Sequence, residues 1–223
     1  MAESKASEKT KKALAKKYQK KTDIEHILDA PDTYIGSIEP DEEENWLLNN
    51  EGKMKWSSYT WTAGFYKCFD EGIVNCRDHQ IRLAEKIRKK EKHILPVKNI
   101  EITIDKATGV ITMFNDGNGI DIAKHPEYNI WIPEMIFGHL RTGSNYDKSE
   151  KKIVGGKNGF GFKLVLIYSK WGEIETVDHV RKLKYVQRFE NNLGKICKPK
   201  VSKSKAKPYT KVSWLPDYER FGM

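Results

Sequence analysis

No apolar run in this sequence approaches the ~20 residues needed to cross a bilayer, and its Lys-rich start lacks the hydrophobic stretch of a secretory signal. A membrane protein or a secreted one is therefore not expected. Cysteine is scarce as well: Cys68, Cys76 and Cys197 are odd in number and lack CxxC spacing, which argues against a disulfide scaffold and a zinc site and for free thiols in a reducing, intracellular compartment. Internal repeats are absent. What is present suffices for a core, since 38% of the 223 residues are hydrophobic and six are Trp. At ~150 residues per domain the length suits one large domain with appendages.

Acid is missing where base is densest. Residues 1–21 hold eight Lys against Glu3 and Glu8 (8 − 2 = +6), and residues 195–207 hold six Lys and no acid, another +6. With a total of +9, everything else sums to 9 − 12 = −3. The expectation is a basic flexible arm over 1–21, a domain over 22–223, and a second flexible basic stretch at 195–207. Such segments either meet phosphate, as in DNA, or serve as solvated tails.

Thr22-Asp23 offers an N-cap for a short helix, Ile24 to Leu28, stopped by Pro31. From Ala63 to about Lys92, Phe65, Phe69, Cys76, Leu83 and Ile87 share one face at helical spacing, which predicts a long amphipathic helix. Ile100, Ile102 and Ile104 alternate with polar residues, Thr108-Gly109 turns the chain, and Val110 to Phe114 completes a β-hairpin. Pro133 to Leu140 and Leu164 to Tyr168 read as short helices, with a polar, Gly-rich loop over 141–161 between them. Glu173 to Val177, Leu183 to Phe189 and Thr210 to Leu215 read as strands. The sum is an α+β two-layer sandwich, a mixed sheet with helices on one face.

Two segments could carry chemistry. Gly155-Gly156-Lys157-Asn158-Gly159-Phe160-Gly161-Phe162-Lys163 looks like a phosphate loop, because glycines let backbone N–H groups close on an anion while lysines add charge. Its spacing is neither that of a P-loop nor that of a dinucleotide fingerprint, and a flexible turn before a helix remains open. On the long helix Glu71, Asn75, Asp78 and His79 fall within one arc, away from the apolar stripe. Glu and Asn one turn apart can serve a water and a hard cation together, the carboxylate accepting a proton and the amide oxygen ligating Mg²⁺; a solvated helix face is the bland alternative. Asn115-Asp116-Gly117-Asn118-Gly119 taken alone is a tight turn.

The order of these pieces, Glu-x-x-x-Asn on a helix, an Asn/Asp-Gly-x-Gly turn after a strand, a long loop and GxxGxG before a short helix, resembles the GHKL ATPase superfamily. Lys21-Thr22, Glu25-His26-Ile27-Leu28 and Pro31-Asp32-Thr33-Tyr34-Ile35-Gly36-Ser37 are similar to the N-terminal strap of its eukaryotic-type type IIA topoisomerase branch. So are Phe69-Asp70-Glu71, Val74-Asn75, Ile136-Phe137-Gly138, Ser144-Asn145-Tyr146-Asp147 and Gly155 to Gly159, and the likeness spans about residues 20 to 220.

The resemblance implies a GHKL (Bergerat-type) sandwich with Glu71 as general base, Asn75 as Mg²⁺ ligand and Asn115 as acceptor for the adenine amino group. Gly119 would let the backbone pass close to the base. Gly143, Ser144 and Asn145 would contact ribose and phosphate, and Gly156, Lys157, Asn158, Gly159, Phe160, Gly161, Phe162 and Lys163 would wrap the triphosphate. Gly143, Phe162 and Leu166 depart from the common eukaryotic pattern. It further implies ATP and Mg²⁺ as cofactors, an ATP-dependent homodimer, DNA as the substrate of the full-length enzyme, and the nucleus or another DNA-replication compartment. In that family a transducer domain follows and supplies a lysine to the γ-phosphate, so the sequence reads as an isolated ATPase domain able to bind nucleotide but poor at turnover. A mismatch-repair or chaperone ATPase, or a non-catalytic DNA-binding module, are the competing readings.

Overall fold

The computed structural model describes residues 10, 13–14, 17–18, 20–142 and 160–223. Most of the basic arm, together with Gly143, Ser144, Asn145, Gly156, Lys157, Asn158 and Gly159, lies outside the described residues.

The capping signal at Thr22 is realised. Helix α1 (Asp23–Asp29) starts with a capping box in which the Thr22 side chain accepts from the Glu25 N–H and the Glu25 carboxylate accepts from the Thr22 N–H. A one-turn helix α2 (Pro31–Tyr34) follows, with Pro at its first position. Together they lay Ile27 and Ile35 into the core, and the Tyr168 hydroxyl donates to the Ile27 carbonyl.

A hairpin that the sequence reading left out comes next: β1 (Asp41–Leu48) and β2 (Met54–Trp61) pair antiparallel as a two-stranded sheet of their own. The long helix α3 (Ala63–Arg88) then buries Cys68, Gly72, Cys76 and Leu83, one side of the predicted face, while Ile87 at its end stays exposed. Burial pushes the Cys68 and Cys76 thiols up to about 12 and about 11, so both remain protonated packing groups.

The main sheet contains β3 (Ile100–Ile104), β4 (Ile111–Asp116), β5 (Ser169–Val177), β6 (Leu183–Glu190), β7 (Lys195–Ile196), β8 (Lys200–Lys203) and β9 (Tyr209–Pro216). Its order is β3-β4-β9-β5-β6-β7, with β8 also on β6. The α+β class holds, but every pairing among the described strands is antiparallel rather than mixed. The reason is topological: β4 and β5 do run in the same direction across the helical crossover, yet β9 inserts between them and pairs antiparallel with both. Residues 195–207 also differ from expectation. They are no loose tail but carry β7 and β8 at the sheet's edge, because Cys197 N–H bonds the Arg188 carbonyl and Lys200–Lys203 register against Val186–Leu183.

One face of the sheet is covered. Ile111 and Met113 of β4, Ile174 of β5, Phe189 of β6 and Val212 and Trp214 of β9 are buried beneath α3, α4 (Ile132–Gly138) and α5 (Gly161–Ile167). Gly72 lets α3 settle on this layer, since a Cβ there would lie 2.6 Å from the Met113 sulfur. Gly172 does the same for α5, where a Cβ would meet Leu166 at 2.2 Å.

Candidate active site

The site begins on the outer flank of α3. Glu71 lies beside the buried stripe with its side chain 18% exposed, and Asn75, one turn on, is exposed. The Asn75 amide nitrogen donates to the Glu71 carbonyl at 2.5 Å, which leaves its oxygen without a donor among the described residues. An amide oxygen beside a carboxylate suits Mg²⁺, which takes few protein ligands and keeps phosphate oxygens and waters for the rest. Among the described residues no cluster of three His, Cys, Asp or Glu exists to offer a softer metal a home.

The glycine loop arrives at this pair. Gly161, the first residue of α5, is so close that a Cβ on it would sit 3.0 Å from Glu71 Oε2 and 3.7 Å from Asn75 Nδ2. The absence of a side chain therefore brings the backbone at the start of α5 against the carboxylate. The two segments singled out from sequence, 90 positions apart, meet here. Of the neighbouring loop residues, Phe160 lies 6.2 Å from the Tyr34 ring, so the strap made by α1 and α2 abuts the same corner. Phe162 turns inward, edge-on to Phe137 and Trp214, and only its backbone is left to face a ligand. Lys163 is buried; its ammonium donates to the Thr142 carbonyl and hydroxyl, and burial lowers its pKa to about 8. Arg141 ties the same stretch to α1 through Asp23 at 2.9 Å.

The third component is the turn after β4. Asn115 is 4% exposed, and its amide nitrogen donates to the Asp116 carbonyl at 2.8 Å, which leaves the side-chain oxygen as an acceptor without a donor among the described residues. Gly117 is held from the α3 side, where a Cβ would meet Leu83 at 2.9 Å and His79 Nε2 at 3.5 Å. That His79 nitrogen is buried with no partner among the described residues, and burial, then Arg82 and Lys86, lower the ring's pKa to about 4. Gly119, at φ +70°, presses on β5: a Cβ would lie 2.0 Å from the Val177 carbonyl oxygen. The demand for glycine at this position thus comes from the sheet itself. Asn118 accepts from the Leu95 N–H, and Asp116 from the N–H groups of Lys98 and Asn99. Burial pushes the Asp116 carboxyl up, but those backbone donors outweigh it and hold it below its ordinary range.

Sequence reasoning missed several supports. Lys67, one turn before Glu71, places its ammonium 2.8 Å from Glu71 Oε1 and 3.3 Å from Asp70, and the Glu71 hydrogen bond raises its pKa. Spacing of four on a helix was the available signal. Thr176 and Asp178 of β5 and its turn accept from the N–H groups of Ile120 and Ile122 and so suspend the segment after Gly119. No local signal marks them, since each bond spans 56 residues.

No protein-family model matches the chain. Curated proteins do. It is 45% identical over 228 residues to DNA topoisomerase 2 of Acanthamoeba polyphaga mimivirus, a match covering 100% of this chain and 17% of that protein. To DNA topoisomerase 2 of Saccharomyces cerevisiae it is 44% identical over 209 residues, 93% of this chain and 14% of that one. The chain thus spans about a seventh to a sixth of the length of such relatives. Among solved structures, the ATPase region of Saccharomyces cerevisiae topoisomerase II superposes with a TM-score of 0.84 at 44% identity, over 94% of this chain and 53% of that one. The ATPase and transducer domains of topoisomerase II from Balamuthia mandrillaris superpose with a TM-score of 0.82 at 39% identity, over 92% and 51%. Along its length the chain is homologous to the ATPase region of DNA topoisomerase II, and through that region it belongs to the topoisomerase II family.

Proposed function

We propose that this chain is the ATP-binding and ATP-hydrolysing clamp domain of a type II DNA topoisomerase and drives ATP-dependent strand passage within the full-length enzyme. One observation carries the reading: Gly161, at the end of the phosphate-type loop, lies directly against Glu71 and Asn75, so a triphosphate held by that loop would have its terminal phosphate beside a carboxylate and an amide oxygen.

The residues then divide the work. The Asn115 oxygen accepts from the adenine amino group; its amide nitrogen is already engaged, so the orientation needs no reorganisation. Lys163, whose ammonium donates to the Thr142 carbonyl and hydroxyl, would bring its charge to the phosphates. Gly143, Ser144 and Asn145 with Gly156 to Gly159 complete the cradle. Asn75 would hold Mg²⁺, which neutralises phosphate charge as it develops. Glu71 takes the proton of the attacking water.

Partners follow from the same reading: a second protomer bridged by ATP, and DNA. For DNA, the edge formed by β7, β8 and the turn after them supports the assignment. Lys195 is paired with Glu190, but Lys198, Lys200, Lys203, Lys205 and Lys207 have no acidic partner among the described residues. Lys200 and Lys203 are fixed on β8 and the others flank it, positioned to neutralise phosphates. No described helix is long and apolar enough to cross a membrane.

The test is nucleotide selectivity. Asn115→Ala is expected to weaken adenine nucleotides by ~1–3 kcal/mol and guanine nucleotides much less, because it removes the acceptor specific to the amino group. Equal losses for both, read by calorimetric titration, would reduce Asn115 to a turn residue.

A further inference from the structure

The two oxygens of Glu71 face different things. Oε1 receives the Lys67 ammonium at 2.8 Å, whereas Oε2 is the atom that lies toward Gly161. Lys67 is itself held from a second side by Asp70 at 3.3 Å. All three groups project from adjacent turns of α3, well inside its 26 residues, so the backbone that carries them is rigid.

We propose that Lys67 is a positioning residue for hydrolysis: it pins Oε1 of Glu71, and so presents Oε2, with its lone pairs unspent, to the water that attacks the terminal phosphate. The inference rests on the reading of Glu71 as general base. In the step it serves, the water O–H bond breaks and its proton passes to Oε2. The water oxygen forms a bond to the γ-phosphorus, and the bond from that phosphorus to the β,γ-bridging oxygen breaks, its electron pair leaving with ADP. Lys67 gains and loses no atom. A carboxylate free to rotate would divide its time between orientations, and displacement of the reacting atom by about 1 Å is enough to cost ~10²-fold in rate.

Stability is a poor alternative explanation for the pair. A helix gains only ~0.2–0.5 kcal/mol from a charge pair four residues apart, and the order found here, Lys before Glu, is the weaker of the two. The lysine side chain is 42% exposed against 18% for Glu71, and an ion pair with one well-hydrated partner contributes little. Asp70 completes the arrangement: by taking a second N–H of the ammonium it keeps Lys67 from swinging into solvent or onto a bound phosphate.

The experiment measures steady-state ATP turnover and nucleotide affinity in the full-length protein for Lys67→Met, Lys67→Arg and Lys67→Gln, each alone and combined with Glu71→Gln. Lys67→Met should lower kcat by ~10–100-fold with KM and analogue affinity within ~2-fold, since the lost interaction matters only in the transition state. Lys67→Arg, which keeps a charged donor, should recover most of the rate, and Lys67→Gln should fall between. Lys67→Met should have no further effect once Glu71→Gln is present, because a positioning residue acts only through the group it positions. The proposal is overturned if Lys67→Met keeps wild-type kcat, loses affinity as steeply as rate, or lowers the residual rate of Glu71→Gln by its full factor. Near-normal turnover by Glu71→Gln alone would instead sink the general-base reading, and the two failures are therefore distinguishable.

Discussion

Two hairpins of this molecule differ in what lies around them, and the difference locates the site. β1–β2 is the longer, eight residues in each strand. It carries Trp46 and Trp56 edge-on at 5.8 Å across one face, with Leu48 and Met54 beside them. Yet among the described residues no third strand joins it, and those two indoles remain 57% and 50% exposed. β3–β4 is shorter, but β9 continues it into the main sheet and α3 covers β4 at Met113. The turn that carries Asn115 to Gly119 grows from this second hairpin. A two-stranded hairpin by itself is marginal in water; one clamped by a neighbouring strand and a helix can hold Asn115 within the few tenths of an ångström that recognition requires.

Paired glycines break that comparison most forcefully. Gly119, beside β4, and Gly52, in the turn of β1–β2, both have positive φ, +70° and +75°. A Cβ on Gly119 would strike the Val177 carbonyl, while around Gly52 nothing lies within 4 Å. Gly119→Ala is expected to cost ~3–5 kcal/mol and nucleotide binding with it, whereas Gly52→Ala should cost only the left-handed backbone strain, ~1–2 kcal/mol. Denaturant unfolding measures both, and equal losses would deny that the surroundings set the difference.

Acid sharpens the contrast. The His79 imidazole under Gly117 has its pKa lowered to about 4, against an ordinary 6.5, so between those values the unfolded chain binds the proton first. Its contribution is complete above about pH 6.5 and is lost as pH falls toward 4, on the order of 3 kcal/mol. Comparing the pH dependence of unfolding in the wild type and in His79→Asn should show this slope vanish; an unchanged slope would assign acid sensitivity elsewhere.

The smallest effect belongs to the isolated hairpin. Trp46→Ala removes an exposed edge-to-face contact and should cost under ~1 kcal/mol, with nucleotide affinity unchanged. A measurable loss of affinity would join β1–β2 to the site.

The same contrast explains what the sequence revealed. Helix α3 was legible because burial on one side stamps a period on the chain, and the Ile100–Ile104 strand because its isoleucines alternate with polar residues, although all five of its residues are exposed. β1 reads Asp41-Glu42-Glu43-Glu44-Asn45-Trp46, and with no core behind it nothing imposes alternation; it was invisible for the reason that it is exposed. Glu71, Asn75, Asn115 and Gly161 were legible because each sits in a compact local motif. Thr176 and Asp178 were not, since their work is done across 56 residues by tertiary pairing. The lysines of 195–207 misled for a different reason: residues of an edge strand meet water just as a tail does, so composition alone does not separate an arm from β8.

The account's central claim is that neighbouring positions of α3 divide chemistry from binding. Titration of a non-hydrolysable ATP analogue with Mg²⁺ into Glu71→Gln and Asn75→Ala, alongside ATP turnover in the full-length protein, addresses it directly. Glu71→Gln keeps size and a hydrogen bond but cannot take a proton, so affinity should stay near wild type while turnover falls ~10²–10⁴-fold. Asn75→Ala removes a Mg²⁺ ligand and should weaken binding itself. Loss of affinity in Glu71→Gln as severe as in Asn75→Ala, or near-normal turnover by Glu71→Gln, would contradict the division.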